Sequence, residues 1–435
     1  MPSDPTTSVL VFTRDLRTRD LPALAAASTA DRIVPLFVLD PEALAAHGSP
    51  NRTAYLLDSL EDLRSNLRQL GADLVLRRGP WAQSVLQVVG EVGATQVHLS
   101  EDVSAFAQRR TSSLGDRLAD MDVELVLHPG ITVVPPGATS PSGGGFWKVF
   151  TPFYRRWLEH GWRPLVDTPQ QLRLPDGLES GDLPALDELV DGECSPALAP
   201  GGESIALASL RTWASTNLER YEDLHDDLPA DGTAHLAAAL HFGCISPLEV
   251  ATRLRDRPGG AAFVRQLCWR DFYHQVLAAR PEVAHVDYRP RGDDWNDDPD
   301  DLAAWTDGRT GFPIVDAGMR QLRAEGYMHN RTRMIVASFL TKDLHHDWRA
   351  GAAHFMSLLA DGDVANNQLN WQWTAGTGTD NNPHRILNPT VQSRRFDPDG
   401  TYIRRYVPEL GDVDAPEIHE PSEATRRRTG YPAPM

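Results

Sequence analysis

The chain has 435 residues, 41% of them hydrophobic and 23% charged, with a formal net charge of −18. That length exceeds one ordinary hydrophobic core and predicts two or three globular domains. The acidity excludes a protein that holds nucleic acid by bulk electrostatics, because a backbone-tracking surface needs lysine and arginine. The sequence holds no run of about 18 or more apolar residues, and its opening, MPSDPTTS, has neither the basic nor the apolar part of a signal peptide. A cytoplasmic protein without membrane contact is expected. Cys194, Cys244 and Cys268 are too few and too far apart for a disulfide framework or a zinc knuckle, and are expected in the core.

Short β-branched runs recur through the first third of the chain: SVLVFT, RIVPLFVLD, LVLRR, VHLSED and VELVLH. Each predicts a buried strand. Between them, RTAYLLDSLEDLRSNLRQLG is amphipathic at helical spacing and stops at Gly71. Strands and helices alternating at roughly 25-residue intervals predict a doubly wound parallel α/β sheet over residues 8–135. The segment after the first strand, TRDLRTRDLPAL, contains no GxGxxG, so a dinucleotide fingerprint is lacking there.

Residues 136–203 read as a connector, because proline and glycine recur from Gly161 to Gly202 and no period persists. Over residues 204–420 the patterns are helical, from SIALASLRTWASTNLERY through AAFVRQLCWRDFYHQVLAAR to AAHFMSLLA, and predict an all-α domain. The last fifteen residues read as a loose tail. From Asn381 to Leu410 the acidic chain turns basic, with Arg385, Arg394, Arg395, Arg404 and Arg405.

Eight of the eleven tryptophans lie at or beyond residue 162, several in polar company that a plain core does not explain. Trp269 sits in QLCWRDFY, Trp295 in DDWNDD, Trp348 in HHDWRA, and Trp371 with Trp373 in NWQWTAGTGTD. In a helix, residues two apart point about 200° from one another, so Trp371 and Trp373 serve opposite faces. His345 and His346 are adjacent, their side chains diverge, and no metal site is expected. His329 reads as a packed, hydrogen-bonded residue.

QLCWRDFY, TGFPIVDAGMRQLRAEGYMHNRTRM, ASFLTKDL, DGDVANNQLNWQW and RILNPTVQSRRFDPDGTYIRRYVPEL together resemble the flavin-binding domain of the DNA photolyase and cryptochrome family. FTRDLR and KVFTPFYRRW extend the resemblance, in order, from about residue 8 to 410. It implies an N-terminal α/β antenna domain, a long connector and a C-terminal α-helical domain that holds FAD. The implied reaction is light-driven repair of cyclobutane pyrimidine dimers, with an electron passing from reduced FAD to a dimer flipped out of UV-damaged DNA.

By the same resemblance, Tyr221 and the segment Thr233, Ala234, His235, Leu236 and Ala237 lie at the FAD phosphates, where a hydroxyl and free amides suit an anion. The family usually has TSxLS there, so this chain lacks two hydroxyls. At about 0.5–1.5 kcal/mol per neutral hydrogen bond, FAD is held less tightly but not lost. Phe263, Gln266, Arg270, Asn330 and Gly362 are assigned to the flavin pocket, as are Asp363 and an Arg333–Asp361 pair. Asn367 faces flavin N5, where the plant photoreceptor branch has aspartate.

The resemblance makes Trp371, Trp348 and Trp295 an electron chain from the surface to FAD. It assigns Trp269, Trp373, Gln266, Asn330, Arg331 and Met334 to the dimer cavity, where stacking contributes about 1–3 kcal/mol per base. Arg385, Gln392 and the arginines after them fit phosphate positioning. Gln266 stands where cyclobutane enzymes usually have glutamate, a difference of order 1 kcal/mol between a charged and a neutral hydrogen bond. Glutamine there is shared with (6-4) photolyases, whose histidine pair falls at Asn330 and Met334, neither of which is histidine; cyclobutane repair ranks first.

Ala107 replaces the glutamate of folate-binding relatives, whereas Arg52 and Asp102 look like a deazaflavin antenna pattern. A deazaflavin is therefore expected over folate. The chain is expected to act as a monomer. The alternative from another class is a cryptochrome-like photoreceptor using the same flavin and tryptophans. A flavin enzyme acting on small substrates finds no nicotinamide site.

Overall fold

The five apolar runs form β1 (Thr7–Phe12), β2 (Arg32–Leu39), β3 (Val75–Arg78), β4 (Gln96–Ser100) and β5 (Glu124–His128) in a computed structural model that describes residues 5–379, 382–415 and 417–435. The sheet order is β3-β2-β1-β4-β5 and every neighbouring pair is parallel. This is the doubly wound arrangement that the strand and helix alternation predicts. The central strand is buried at every position, with Val9 opposite Val34 on one side and Val97 on the other. Burial on both faces is why β1, β2 and β4 read as continuous apolar runs rather than alternating ones, whereas the edge strand β5 is partly exposed.

In chain order the helices are α1 (Pro22–Ala27), α2 (Pro41–His47), α3 (Pro50–Gln69), α4 (Trp81–Val92), α5 (Ala105–Ala119), α6 (Phe150–Glu159), α7 (Glu203–Thr216), α8 (Tyr221–Leu224), α9 (Ala237–His241) and α10 (Pro247–Leu254). They continue as α11 (Gly260–Ala279), α12 (Pro299–Asp307), α13 (Pro313–Glu325), α14 (Asn330–Ser338), α15 (Trp348–Leu358), α16 (Val364–Ala375), α17 (Pro389–Phe396), α18 (Thr401–Tyr406) and α19 (Glu423–Thr429). From residue 204 onward the described residues contain no strand, only an isolated bridge between Asn296 and His346. No described helix is long and apolar enough to cross a membrane.

The chain divides into two compact units. The first comprises Met1–Glu193, Pro200–Thr212 and His235–Pro281; the second comprises Cys194–Ala199, Trp213–Ala234 and Glu282–Met435. In the first, Val9, Val34, Val97 and Leu99 pack with Trp81 and Val85 of α4 and Leu114 of α5. The irregular segment after α6 lies along this unit, where Leu76 N–H donates to Ser180 O at 2.6 Å and Ile33 N–H to Arg173 O at 2.9 Å. Backbone donors at the β3 side of the sheet are thereby satisfied rather than left open. In the second unit, Trp305, Trp348 and Trp371 share one core with Ile335, Phe339, Phe355 and Tyr402.

The last fifteen residues correct the expectation of a loose tail. Ser422 caps α19, Tyr431 is buried and its hydroxyl donates to the Asp316 carboxylate, and Arg426 donates to Gly311 O at 3.2 Å. Gly311, at φ +78°, admits the tail backbone so closely that a Cβ there would stand 2.3 Å from Ala433 O. A proline- and glycine-rich composition conceals such docking, because the partners lie more than a hundred residues upstream.

Candidate functional site

The expected site residues fall into two sets, one in each unit. In the second unit most of the set is built on α14, α15 and α16. His329 caps α14 by accepting the Arg331 N–H on Nδ1 at 3.2 Å, which is the packed role expected of it. Asn330 and Met334, four residues apart, share one helix face, with Asn330 Nδ2 3.9 Å from Met334 Sδ. One terminal nitrogen of Arg333 donates to both Asp361 oxygens, at 2.9 and 3.2 Å, and its Nε donates to Met328 O at 2.7 Å. Arg331 is bound to Asp226, with Nε at 3.1 Å, and lies 4.3 Å over the Phe396 ring.

The sequence DGDVANN makes an aspartate-capped helix start: Asp363 Oδ1 accepts from Asn366 N at 2.9 Å and from its Nδ2 at 2.7 Å. That cap sets the phase of α16. Asn367 faces α15, where its Nδ2 donates to Ala352 O at 3.1 Å. One turn on, Trp371 is 2% exposed and meets Phe355 and Trp305 edge to face at 5.0 and 6.0 Å. Trp373 is half-buried, with the Arg385 guanidinium 4.8 Å from its ring. The two indoles therefore occupy the different faces that their spacing predicts.

Trp348 opens α15, fully buried, its Nε1 donating to Asp287 Oδ1 at 2.9 Å. Trp295 packs against the same core, with the His345 ring 5.1 Å away and tilted by 43°. Lys342 Nζ donates to Ala375 O at 2.5 Å and Pro383 O at 3.2 Å, tying the end of α16 to the loop before Arg385. Burial lowers its pKa. Tyr221 is buried, which pushes its phenol up to about 12. Thr233 Oγ1 lies 3.2 Å from the Tyr327 hydroxyl, and Ala234 is buried beside it in sequence. Gly362, between the two aspartates, is also buried.

In the first unit, His235 has φ +50°, a left-handed conformation rare for a residue with a side chain, and Leu236 and Ala237 lead into α9. On α11, Phe263 and Arg270 are buried, whereas Gln266 is exposed and Trp269 half-buried. Phe150 stacks on Trp269 almost face to face, 3.6 Å between centroids at 3°. Arg270 donates to Ile131 O at 2.7 Å and to Leu240 O at 3.2 Å. Asp271 holds α11 in place by accepting from Val133 N, Val134 N and Trp157 Nε1 at 2.8–3.0 Å, and burial pushes its carboxyl up to about 6.

Of the antenna candidates of this unit, Asp102 lies just after the carboxyl end of β4, at the β1/β4 switch point where doubly wound sheets hold ligands. Asp102 pairs with Arg14 at 3.4 Å and accepts from Ser104 N at 3.1 Å. Arg52 is buried in the first turn of α3, and Ala107 is buried on α5. Arg110 lies 4.0 Å over Trp81, a cation–π contact.

Part of the basic stretch is corrected. Arg404 donates to Gly411 O at 3.2 Å, Val413 O at 2.6 Å and the Asp399 carbonyl, so it braces its own loop instead of offering a phosphate contact. Arg394 pairs with Glu420 at 3.1 Å, Gln392 is half-buried on α17, and Asn381 lies outside the described residues. Asp226, Asp287, Tyr327, Lys342, Phe150 and Trp305 were missed in the sequence. Tyr327, Lys342 and Phe150 lie inside the quoted motifs and Asp226 in the acidic stretch just after Tyr221; Asp287 and Trp305 acquire their partners by distant contacts alone. Among the described residues, no group of three or more His, Cys, Asp or Glu could hold a metal ion.

Residues 8–172 match the DNA photolyase family model, and residues 263–435 match that of the FAD binding domain of DNA photolyase. The deoxyribodipyrimidine photo-lyase of Streptomyces griseus is 48% identical over 441 residues, covering 98% of this chain and 96% of the relative. A class III photolyase from Agrobacterium tumefaciens superposes with a TM-score of 0.93 at 31% identity, covering all of this chain and 95% of that one. A Synechocystis cryptochrome superposes at 0.91 with 29% identity, covering all of this chain and 97% of its own.

Proposed function

The chain belongs to the DNA photolyase family, and from that premise we propose that it is a light-driven cyclobutane pyrimidine dimer photolyase with FAD as its cofactor. The observation that carries this reading is the division of labour on α16, which sends Trp371 into an aromatic core and leaves Trp373 half-buried under a guanidinium. A helix used only for packing has no reason to hold its second indole at the surface beside a cation.

The side chains fit a flavin dinucleotide. Thr233 and Tyr221 supply hydroxyls for an anionic pyrophosphate. Arg333 and Asp361 neutralise one another, so a polar pair reaches the ligand without an uncompensated buried charge. Asn367 is oriented by Ala352 O and would offer the flavin a neutral amide, able to hydrogen-bond without supplying a proton. Bound in its reduced form and excited by light, FAD supplies the electron that opens the cyclobutane ring and receives it back.

The remaining steps belong to the protein. Phe150 stacks on the half-buried Trp269 and holds its ring as a preformed wall for a flipped base, which offsets part of the unstacking cost. A damaged, poorly stacked dimer is the least costly step to extrude, which selects the lesion without reading sequence. Arg385, held beside Trp373, positions the phosphate backbone. Gln266 supplies a neutral hydrogen bond to the dimer. Arg52 and Asp102 mark a second chromophore site, for which a deazaflavin is the proposed occupant.

The test is repair itself. Reduced protein is mixed with an oligonucleotide carrying one thymine dimer, and restored thymine is measured in blue light and in darkness. Light-dependent restoration is expected; photoreduction of FAD without restoration points instead to a photoreceptor, the reading that the cryptochrome neighbour keeps open. Trp371→Phe is expected to suppress photoreduction of oxidised FAD and to leave repair by chemically reduced protein nearly intact. Loss of both activities overturns the roles given to the two indoles.

A further inference from the structure

Trp348 is fully buried, yet its indole lies between opposite charges. Its N–H donates to Asp287 Oδ1 at 2.9 Å, and the Arg349 guanidinium carbon stands 4.7 Å from the ring centroid. Arg349 is itself held by carboxylates, donating to the same Asp287 oxygen at 2.8 Å and to Asp347 at 3.0 Å. Two carboxylates around one guanidinium leave the surroundings of this indole net negative. Trp371, by contrast, is walled by Phe355, Trp305 and the backbone of Gly351, with uncharged rings on its flanks.

An indole that gives up an electron becomes a cation. A carboxylate hydrogen-bonded to its N–H stabilises that cation, and does so strongly where burial weakens screening. A guanidinium over the ring has the opposite effect, but it is farther away and largely neutralised by its partners. We propose that Asp287 is a positioning residue for electron transfer, which makes Trp348 easier to oxidise than Trp371 and so draws the positive charge outward. This rests on the reading of Trp371, Trp348 and Trp295 as the electron chain.

The steps balance without a bond being made or broken. In light, one electron leaves Trp371 for the oxidised flavin, and one electron from Trp348 refills Trp371. Trp348 then carries a single positive charge, and its Nε1 proton stays in the hydrogen bond to Asp287. Trp295 returns an electron to Trp348, and a soluble thiol reductant returns one to Trp295. Moving the charge off Trp371 quickly prevents its recombination with the electron just delivered.

The test compares Asp287→Asn and Arg349→Gln in the FAD-loaded protein. With a thiol present, Asp287→Asn is expected to slow initial photoreduction about tenfold, the size of one charge-assisted hydrogen bond. Arg349→Gln is expected to photoreduce at or above the wild-type rate, because it removes the opposing charge and frees the carboxylate. Repair by chemically reduced protein stays at the wild-type level in both. The indole N–H resonance of Trp348, identified by its absence in Trp348→Phe, is expected to move to higher field in Asp287→Asn. A wild-type photoreduction rate in Asp287→Asn, beside an inactive Trp371→Phe, overturns this inference alone. Equal slowing by Arg349→Gln makes the cluster merely structural and also overturns it. A Trp371→Phe protein that photoreduces normally overturns the chain reading, and this inference with it.

Discussion

Gly351→Ala places one methyl group where the structure has no room. A Cβ at this position would stand 2.2 Å from Trp371 Cη2, 2.5 Å from Cζ3 and 2.6 Å from Leu340 Cδ2. Two effects oppose one another. Alanine in a helix interior is favoured over glycine by about 0.5–1 kcal/mol, whereas overpacking a filled core costs about 1–3 kcal/mol. The clash involves a rigid, buried indole, so overpacking wins and a net loss of about 1–2 kcal/mol is expected. Restoring ordinary contact moves the six-membered ring of Trp371 outward by more than an ångström, on the order of a carbon–carbon bond length.

Thermal unfolding and photoreduction are measured on Gly351→Ala, Trp371→Phe and the double variant. The single glycine variant is expected to melt lower and to photoreduce more slowly. Phenylalanine at 371 lacks the two ring atoms that clash, so the double variant is expected to recover part of the stability lost to the added methyl while remaining unable to photoreduce. Additive losses in stability, or a Gly351→Ala protein that melts above the wild type, would refute the packing argument.

Tyr431→Phe removes the hydroxyl that donates to Asp316, a carboxylate that also accepts from Thr310 N and Oγ1 at 2.7 Å. A loss of about 1–3 kcal/mol is expected in denaturant unfolding, because one buried charged group loses a donor; an unchanged midpoint would show that the docked tail contributes nothing. His98, buried beside His128 at 3.0 Å, has its pKa lowered to about 4 by burial first and by His128 second. Since the folded value lies below the ordinary one near 6.5, its contribution is complete above that pH and lost as pH falls toward 4. His98→Gln is therefore expected to flatten the fall in stability between about pH 6.5 and 4; an unchanged slope in pH-dependent melting refutes it.

Local rules account for much of the fold and some of the site. Apolar runs mark all five strands, and burial on both faces is what makes β1, β2 and β4 legible. Once the segment is helical, a period of 3.6 requires Trp371 and Trp373 to part, and the Asp363 cap that starts that helix is seen in the structure. The docked tail is illegible in the sequence because Tyr431 and Asp316 meet only after folding, and the bracing by Arg404 because its acceptors are backbone carbonyls that no side-chain pattern reveals. Asp287 sits 61 positions from the indole it touches, with no period linking the two.

The amino-acid order by itself determined the parallel sheet, the helical second half and the opposed directions of the two neighbouring indoles, since each follows from sterics and periodicity within a few residues. Which indole faces an uncharged wall and which sits against carboxylates was decided only by the packed chain. Electrostatic surroundings are set by atoms close in space, whatever their separation along the sequence, so they come into being with the tertiary contacts.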